Sequence, residues 1–275
     1  PPPPPATLSY SSLEDHLACG YRYYLRRVLG LPEQDPPPVP DDATGAPEAA
    51  PGLDPRVRGD LAHTLLEILP DPAAATAADV HEVALDKGAQ PTEAEVEDLL
   101  QLVHAFGRTT VAARVAAAVR VRREEPFAFP LDDADPASPL VNGFIDLVAV
   151  LEDGTWLVVD YKTNQVAGAD LEAVVEHGYA TQRRIYALAA LRAGAPRAEV
   201  VYVFLQRPDE PVTSTHAAAD LPVLAAALAA QAAPLLAGRF PVAERPFREL
   251  CAACPGRGGM CSWAEAMTLR PAPEE

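Results

Sequence analysis

The segment VNGFIDLVAVLEDGTWLVVDYKT, from Val141 to Thr163, constrains this chain more than any other stretch. Two apolar, β-branched runs are joined by Asp153-Gly154, a strong signal for a tight two-residue hairpin. Each run carries a carboxylate in greasy surroundings, Asp146 in the first and Asp160 in the second. Burying such charges is costly unless something pairs with them, and a divalent cation is the usual partner of converging carboxylates. Residues two apart on a strand share a face, so Asp160 and Lys162 point the same way. Two carboxylates able to hold Mg2+ or Mn2+, with an ammonium beside them, suit phosphodiester hydrolysis. A solitary Asp-x-Lys is more often a surface ion pair of little consequence, so this reading depends on its company.

The rest of the chain reads as α/β. A helix is expected over 9–29, with Ser9 or Ser11 as its cap and Leu13, Leu17, Tyr21, Tyr24, Leu25 and Val28 at helical spacing. Further helices are expected over 56–69, 77–87, 92–119, 169–193 and 217–236. Strands are expected over 120–130, 140–152, 155–162 and 199–206, with a short one over 211–215. Helix, three strands, helix and strand in that order make a core with a mixed sheet. The stretch 31–55 is rich in Pro, Asp and Ala and reads as a loop or disordered insertion. Pro1 to Pro5, without an initiator Met, reads as a linker in a piece of a longer polypeptide. No run reads as long and apolar enough to span a membrane.

Charge limits the partners. A net charge of −17 is unfavourable for tight autonomous binding to DNA, because phosphate contacts dominate nucleic-acid affinity. Basic clusters exist only locally, at Arg22/Arg26/Arg27, Arg120/Arg122/Arg123 and Arg183/Arg184. A partner that delivers the strand would resolve the conflict.

The four cysteines are the second strong signal. Cys251, Cys254 and Cys261 crowd one Gly/Pro loop, and Cys19 lies far upstream. Disulfides do not suit a chain that otherwise reads as intracellular. A tetrahedral thiolate site wants four ligands, and Cys19 completes the set for either an iron–sulfur cluster or a structural Zn2+. Such a site would staple the two ends of the chain together.

Taken in order, the motifs resemble the RecB/AddB-type nuclease domain of the PD-(D/E)XK superfamily, in the branch with a four-cysteine iron–sulfur staple. LSYSSLEDHLACGYRYYLRRVLGL is similar to that branch's first helix, although Gly20 replaces the usual Pro or Arg after the cysteine. RGDLAHTLLEIL resembles the G-x-x-x-H-x-x-L-E helix, REEPFAF the strand before the hairpin, and ATQRRIY the Q-x-x-x-Y helix. The resemblance runs from about Leu8 to Trp263, excluding the Pro-rich insertion.

The resemblance implies a restriction-endonuclease-like core, a mixed central sheet flanked by helices, with an added helical part and a Cys-cluster tail. It divides the chain into a linker (1–7), an N-terminal helix (8–30), the insertion (31–55), a helical part with a ligand His (56–119), a nuclease core (120–240) and the tail (241–275). It makes His63, Asp146, Asp160 and the Tyr161 carbonyl ligands of Mg2+ or Mn2+, with Lys162, Gln182 and Tyr186 completing the catalytic set. Glu124 becomes a ligand or supporting acid, though the adjacent Glu125 leaves the register open, and Arg183 and Arg184 become candidates for DNA contact. Cys19, Cys251, Cys254 and Cys261 would hold a [4Fe-4S] cluster in preference to Zn2+. The implied function is cytoplasmic DNA cleavage beside a helicase or translocase in double-strand break repair or recombination. The alternatives are a stand-alone nuclease of the same branch, as in CRISPR spacer acquisition, and a non-catalytic iron–sulfur-stapled module that guides DNA.

Overall fold

The computed structural model describes residues 5–37 and 52–272. In chain order the elements are β1 (Thr7–Leu8), α1 (Tyr10–Ala18), α2 (Gly20–Tyr23), a π turn (Tyr24–Val28), α3 (Pro55–Ile68), α4 (Ala77–Asp86), α5 (Glu93–Gly107), α6 (Thr110–Ala116), β2 (Arg120–Pro130), β3 (Leu140–Val150), β4 (Trp156–Lys162), α7 (Leu171–Gly178), α8 (Ala180–Arg192), β5 (Arg197–Phe204), β6 (Val212–Ala217), α9 (Leu221–Leu236), α10 (Arg248–Cys251) and α11 (Glu265–Thr268). Most of the expected linker (1–4), the middle of the Pro-rich insertion (38–51) and the last residues (273–275) lie outside the described residues.

The chain divides into two units. One comprises Pro1–Ala46, Pro130–Asn142 and Ala225–Glu275; the other comprises Pro47–Phe129 and Gly143–Leu224. In the first unit, β1 pairs in parallel with the start of β3, Thr7 opposite Leu140 and Leu8 opposite Val141. The Ser9 side chain accepts the Ser12 N–H and the Ser12 hydroxyl accepts the Ser9 N–H, a reciprocal cap that starts α1.

The long helix expected over 9–29 is broken at Cys19, whose backbone is extended (φ −161°, ψ 103°). Its sulfur accepts the Arg22 N–H at 3.4 Å and so starts α2. At Gly20 the chain passes directly against the tail. A Cβ there would meet Pro241 Cδ at 2.7 Å and the Phe240 Cα at 2.9 Å, which is why a side chain has no room.

The second unit holds the mixed sheet. β3 and β4 are antiparallel, β4 and β5 parallel, β5 and β6 antiparallel, and β2 pairs with β3. Alternate residues of β3, β4 and β5 (Leu147, Ala149, Leu157, Val159, Tyr161, Val201 and Val203) pack into one apolar core with α3, α4, α5 and α6. The opposite face of β4 carries Val158, Asp160 and Lys162. The β3–β4 turn is one residue longer than the expected two-residue hairpin. Leu151 N–H reaches the Thr155 carbonyl at 2.9 Å, enclosing Glu152, Asp153 and Gly154, and Gly154 takes φ +81°. This is the three-residue loop with a left-handed glycine.

Three other expectations are corrected. The helix over 92–119 is two helices: Thr109 donates to the Phe106 carbonyl at 2.8 Å and accepts the Ala112 N–H at 3.1 Å, ending α5 and capping α6. The helix over 169–193 is also two, divided at Tyr179 (φ −131°, ψ 9°). Finally, Ala218–Leu236, with mean hydropathy 1.5, is long and apolar enough by length and composition to cross a membrane. Alanine supplies much of that apolarity although it buries little surface, and a single helix of this kind is weak support for a membrane span.

Candidate active site

The site is built where β3 and β4 part. Their register runs from Val150 opposite Trp156 to Leu147 opposite Val159 and goes no further. Past that point side chains serve the freed backbone groups. Asp146 Oδ2 accepts the Tyr161 N–H at 2.8 Å, and the Tyr186 hydroxyl bonds the Phe144 carbonyl at 3.1 Å. The split therefore aims a carboxylate and a phenol between the strands, and buried backbone groups demand such partners.

Around Asp160, which is 2% exposed, the partners are dense. Gln182 Nε2 donates to Asp160 Oδ1 at 2.9 Å and to the Tyr186 oxygen at 3.0 Å. The Tyr186 hydroxyl also lies 3.1 Å from Asp160 Oδ1. Lys162 Nζ stands 2.6 Å from Asp160 Oδ2 and donates to Gln182 Oε1 at 3.1 Å. The Lys162 contact is an ion pair by distance, yet its angle leaves Oδ2 without an aligned hydrogen-bond donor. Gln182 and Tyr186 are one helical turn apart on α8 and so present both groups to the same strand.

From the other side α3 brings His63, whose Nδ1 lies 3.5 Å from Asp146 Oδ2. Gly59, one turn earlier, explains the approach: a Cβ there would meet Thr163 Oγ1 at 2.9 Å, so glycine lets α3 close onto the end of β4. Burial holds the His63 pKa below its usual value, against the opposing pull of Asp160. On Asp146 burial acts in the opposite sense, and the Asp160 charge adds to it. Burial first, then the Asp160 charge, push its carboxyl well above the ordinary range. Both shifts are led by burial, which disfavours the charged form of either group.

Glu124 sits inside β2 with φ 45°, the one left-handed non-glycine backbone among the described residues. A residue so placed is strained by about 1–3 kcal/mol. Burial, followed by the charges of Glu67 and Asp160, raises its carboxyl pKa. Glu125 is instead paired with Arg122 at 2.5 Å, so of the two neighbours it is Glu124 that shows the influence of the Asp160 charge. Glu67 was not singled out by the sequence, though it closes the His63 motif. Arg183 is paired with Glu176 at 2.5 Å. Tyr179, also not anticipated, places its ring 4.2 Å from Lys162 Nζ.

In the other unit the four cysteines are all free thiols and line one cavity of about 20 Å³, with Tyr21, Arg22 and Trp263. The Cys254 sulfur accepts the Gly256 N–H at 3.4 Å, as Cys19 does that of Arg22. Burial, and the proximity of the other cysteines, raise the pKa of Cys251 and of Cys254. Among the described residues no group of three or more His, Cys, Asp or Glu side chains stands ready to hold a metal ion.

A family model for the PD-(D/E)XK nuclease superfamily matches residues 7–259. The chain is 28% identical over 137 residues to a component of the ATP-dependent helicase/nuclease of Lysinibacillus sphaericus (strain C3-41). That match covers 46% of this chain and 11% of the relative. The crystal structure named "Putative exonuclease" from Eubacterium rectale shares 10% identity at a TM-score of 0.47, covering 86% of this chain and 83% of that one. On the family match, which spans nearly the whole chain, this protein belongs to the PD-(D/E)XK nuclease superfamily.

Proposed function

We propose that this chain is a metal-dependent deoxyribonuclease that cuts single DNA strands, exonucleolytically, as a helicase or translocase delivers them during double-strand break repair or recombination. The observation that carries the reading is the meeting of Asp146, Asp160, His63 and Lys162 at the parted ends of β3 and β4. The helicase/nuclease relative and the acidic net charge both favour a strand-delivering partner.

The residues present fit a divalent cation. Asp160 Oδ2 is buried without an aligned donor, and the Asp146 carboxyl is pushed up by burial and by its neighbour's charge. Mg2+ takes only one or two protein carboxylates and fills its shell with water and phosphate, so a closed cage is not required. Asp146, Asp160, His63 and the Tyr161 carbonyl would hold it. When bound, Mg2+ or Mn2+ lowers the pKa of a coordinated water and offsets charge on the phosphate. Lys162 contributes a fixed positive charge beside Asp160 for the oxyanion that grows at phosphorus. Gln182 fixes both partners of that pair at once, and Tyr186 ties Asp160 to the β3 end. The lowered pKa of His63 keeps its imidazole neutral near pH 7, the form that ligates.

The cysteine cavity is the second element of the proposal. Four thiols around one space, two already accepting backbone N–H groups, match the donor set of a [4Fe-4S] cluster. Zn2+ would use the same sulfurs.

The test is Mg2+- or Mn2+-dependent degradation of end-labelled single-stranded DNA by the unmodified chain, Asp160→Ala and Lys162→Ala. Loss of cleavage in both variants, with circular dichroism unchanged, supports the reading. Equal activity in all three would place the chemistry elsewhere.

A further inference from the structure

We propose that Tyr179, backed by Tyr202, is the positioning residue that holds the Lys162 ammonium at the reacting phosphate, an assignment that rests on the nuclease reading above. Tyr179 occupies the break between α7 and α8. Its N–H bonds the Val175 carbonyl at 2.9 Å, closing α7, and its carbonyl accepts the Arg183 N–H at 2.8 Å, opening α8. The ring is stacked on Tyr202 at 5.5 Å and 26°. The two tyrosines are also tied by the Tyr202 hydroxyl, which donates to the Tyr179 carbonyl at 3.4 Å. The Tyr179 hydroxyl donates to Asn164 Oδ1 at 3.2 Å, just past the end of β4.

The stack lies beside Lys162. Its Nζ is 4.2 Å from the Tyr179 ring centroid and 5.6 Å from that of Tyr202. Register explains the geometry: Asp160 is opposite Tyr202 and Lys162 opposite Phe204 on parallel β4 and β5, so these side chains share one face.

Three electron-rich groups thus surround the ammonium: Asp160 Oδ2, Gln182 Oε1 and the Tyr179 face. They are not equivalent. A carboxylate attracts the cation and cancels its charge, whereas an aromatic face attracts it through the ring quadrupole and leaves the charge intact. A lysine stem has considerable rotamer freedom. Tyr179 removes it without neutralising the group that must face phosphate.

The test compares Tyr179→Leu, which keeps bulk but loses the quadrupole, with Tyr179→Phe, which keeps the ring. Leu is expected to lower kcat about tenfold, equivalent to about 1.4 kcal/mol in the barrier, with KM for a single-stranded oligonucleotide within twofold. Phe retains at least half of kcat. A second readout needs no activity. The chain has two lysines, Lys87 and Lys162, so 13C-lysine NMR resolves the Lys162 ε-methylene protons. Ring current shifts them upfield with Tyr or Phe at 179 and releases them with Leu. A Leu variant with unchanged kcat, a Phe variant as impaired as Leu, or an unshifted Lys162 signal in the unmodified protein overturns the assignment. If Lys162→Ala keeps full activity the nuclease reading falls as well; if Lys162→Ala is dead while Tyr179→Leu is unimpaired, only the assignment falls.

Discussion

Tyr186→Phe isolates the device that holds β3 and β4 apart. Tyr186 is 5% exposed, so Phe fills the same space and the change is confined to one oxygen. That hydroxyl has a single proton for two acceptors at 3.1 Å, the Phe144 carbonyl and Asp160 Oδ1, while it accepts from Gln182 Nε2 at 3.0 Å. Asp160 Oδ1 keeps Gln182 at 2.9 Å in the variant, so the carboxylate is not stripped. The Phe144 carbonyl loses its donor at the strand end. A lost hydrogen bond costs about 1 kcal/mol and a buried group left unsatisfied about 1–3, which sets the expectation near 2 kcal/mol. With a urea dependence of about 3 kcal/mol per molar, the midpoint falls by about 0.7 M. Urea unfolding followed by Trp156 fluorescence reads this directly, because Trp156 lies in β4. Trp263→Phe in both proteins silences the other tryptophan. A midpoint within about 0.2 M of the reference, with unchanged slope, would mean the hydroxyl is not holding the split and would refute the account of the site.

Two further outcomes are expected. Because the folded-state pKa of Asp146 is raised, its protonated form contributes stability that is present below the unfolded value and lost as pH rises through the folded one. Metal-free protein should therefore lose more stability than Asp146→Asn between about pH 4 and neutrality, seen as a divergence of their melting temperatures; parallel curves would contradict the burial and like-charge argument. In the cysteine cavity, Cys19→Ser should abolish iron and labile sulfide in anaerobically purified protein and lower the melting temperature by roughly 5–10 °C, from about 2–3 kcal/mol at 2–4 °C each. Elemental analysis decides it, and stoichiometric zinc with no iron would replace the cluster by a structural ion.

The hairpin was legible because its determinants are local. Strand alternation put Asp160 and Lys162 on one face, and Asp153-Gly154 marked the turn to within one residue. His63 was legible only through its motif. The reason that motif begins with glycine, the approach of α3 to Thr163, needs the folded chain to be seen. Glu124 was ambiguous for a related reason: a left-handed residue in mid-strand upsets the alternation from which its side would be read.

The helix breaks were only faintly legible, through the glycines beside them at Gly20, Gly107 and Gly178. Cys19, Thr109 and Tyr179 lie within or beside runs whose spacing stays helical, and no proline marks any of them. Each break is stabilised by a contact at the break itself. Thr109 is served by capping hydrogen bonds alone. The other two are served by groups that the proposed chemistry also uses. At Cys19 the sulfur that starts α2 lines the four-cysteine cavity, and at Tyr179 the ring that leaves the helix lies against Lys162. A continuous helix at either place would satisfy local propensity and turn the side chain away from its partners. The departures from helical periodicity are therefore informative where more than a cap sustains them: at Cys19 and Tyr179 the contact at the break leads to a group that the proposed chemistry uses.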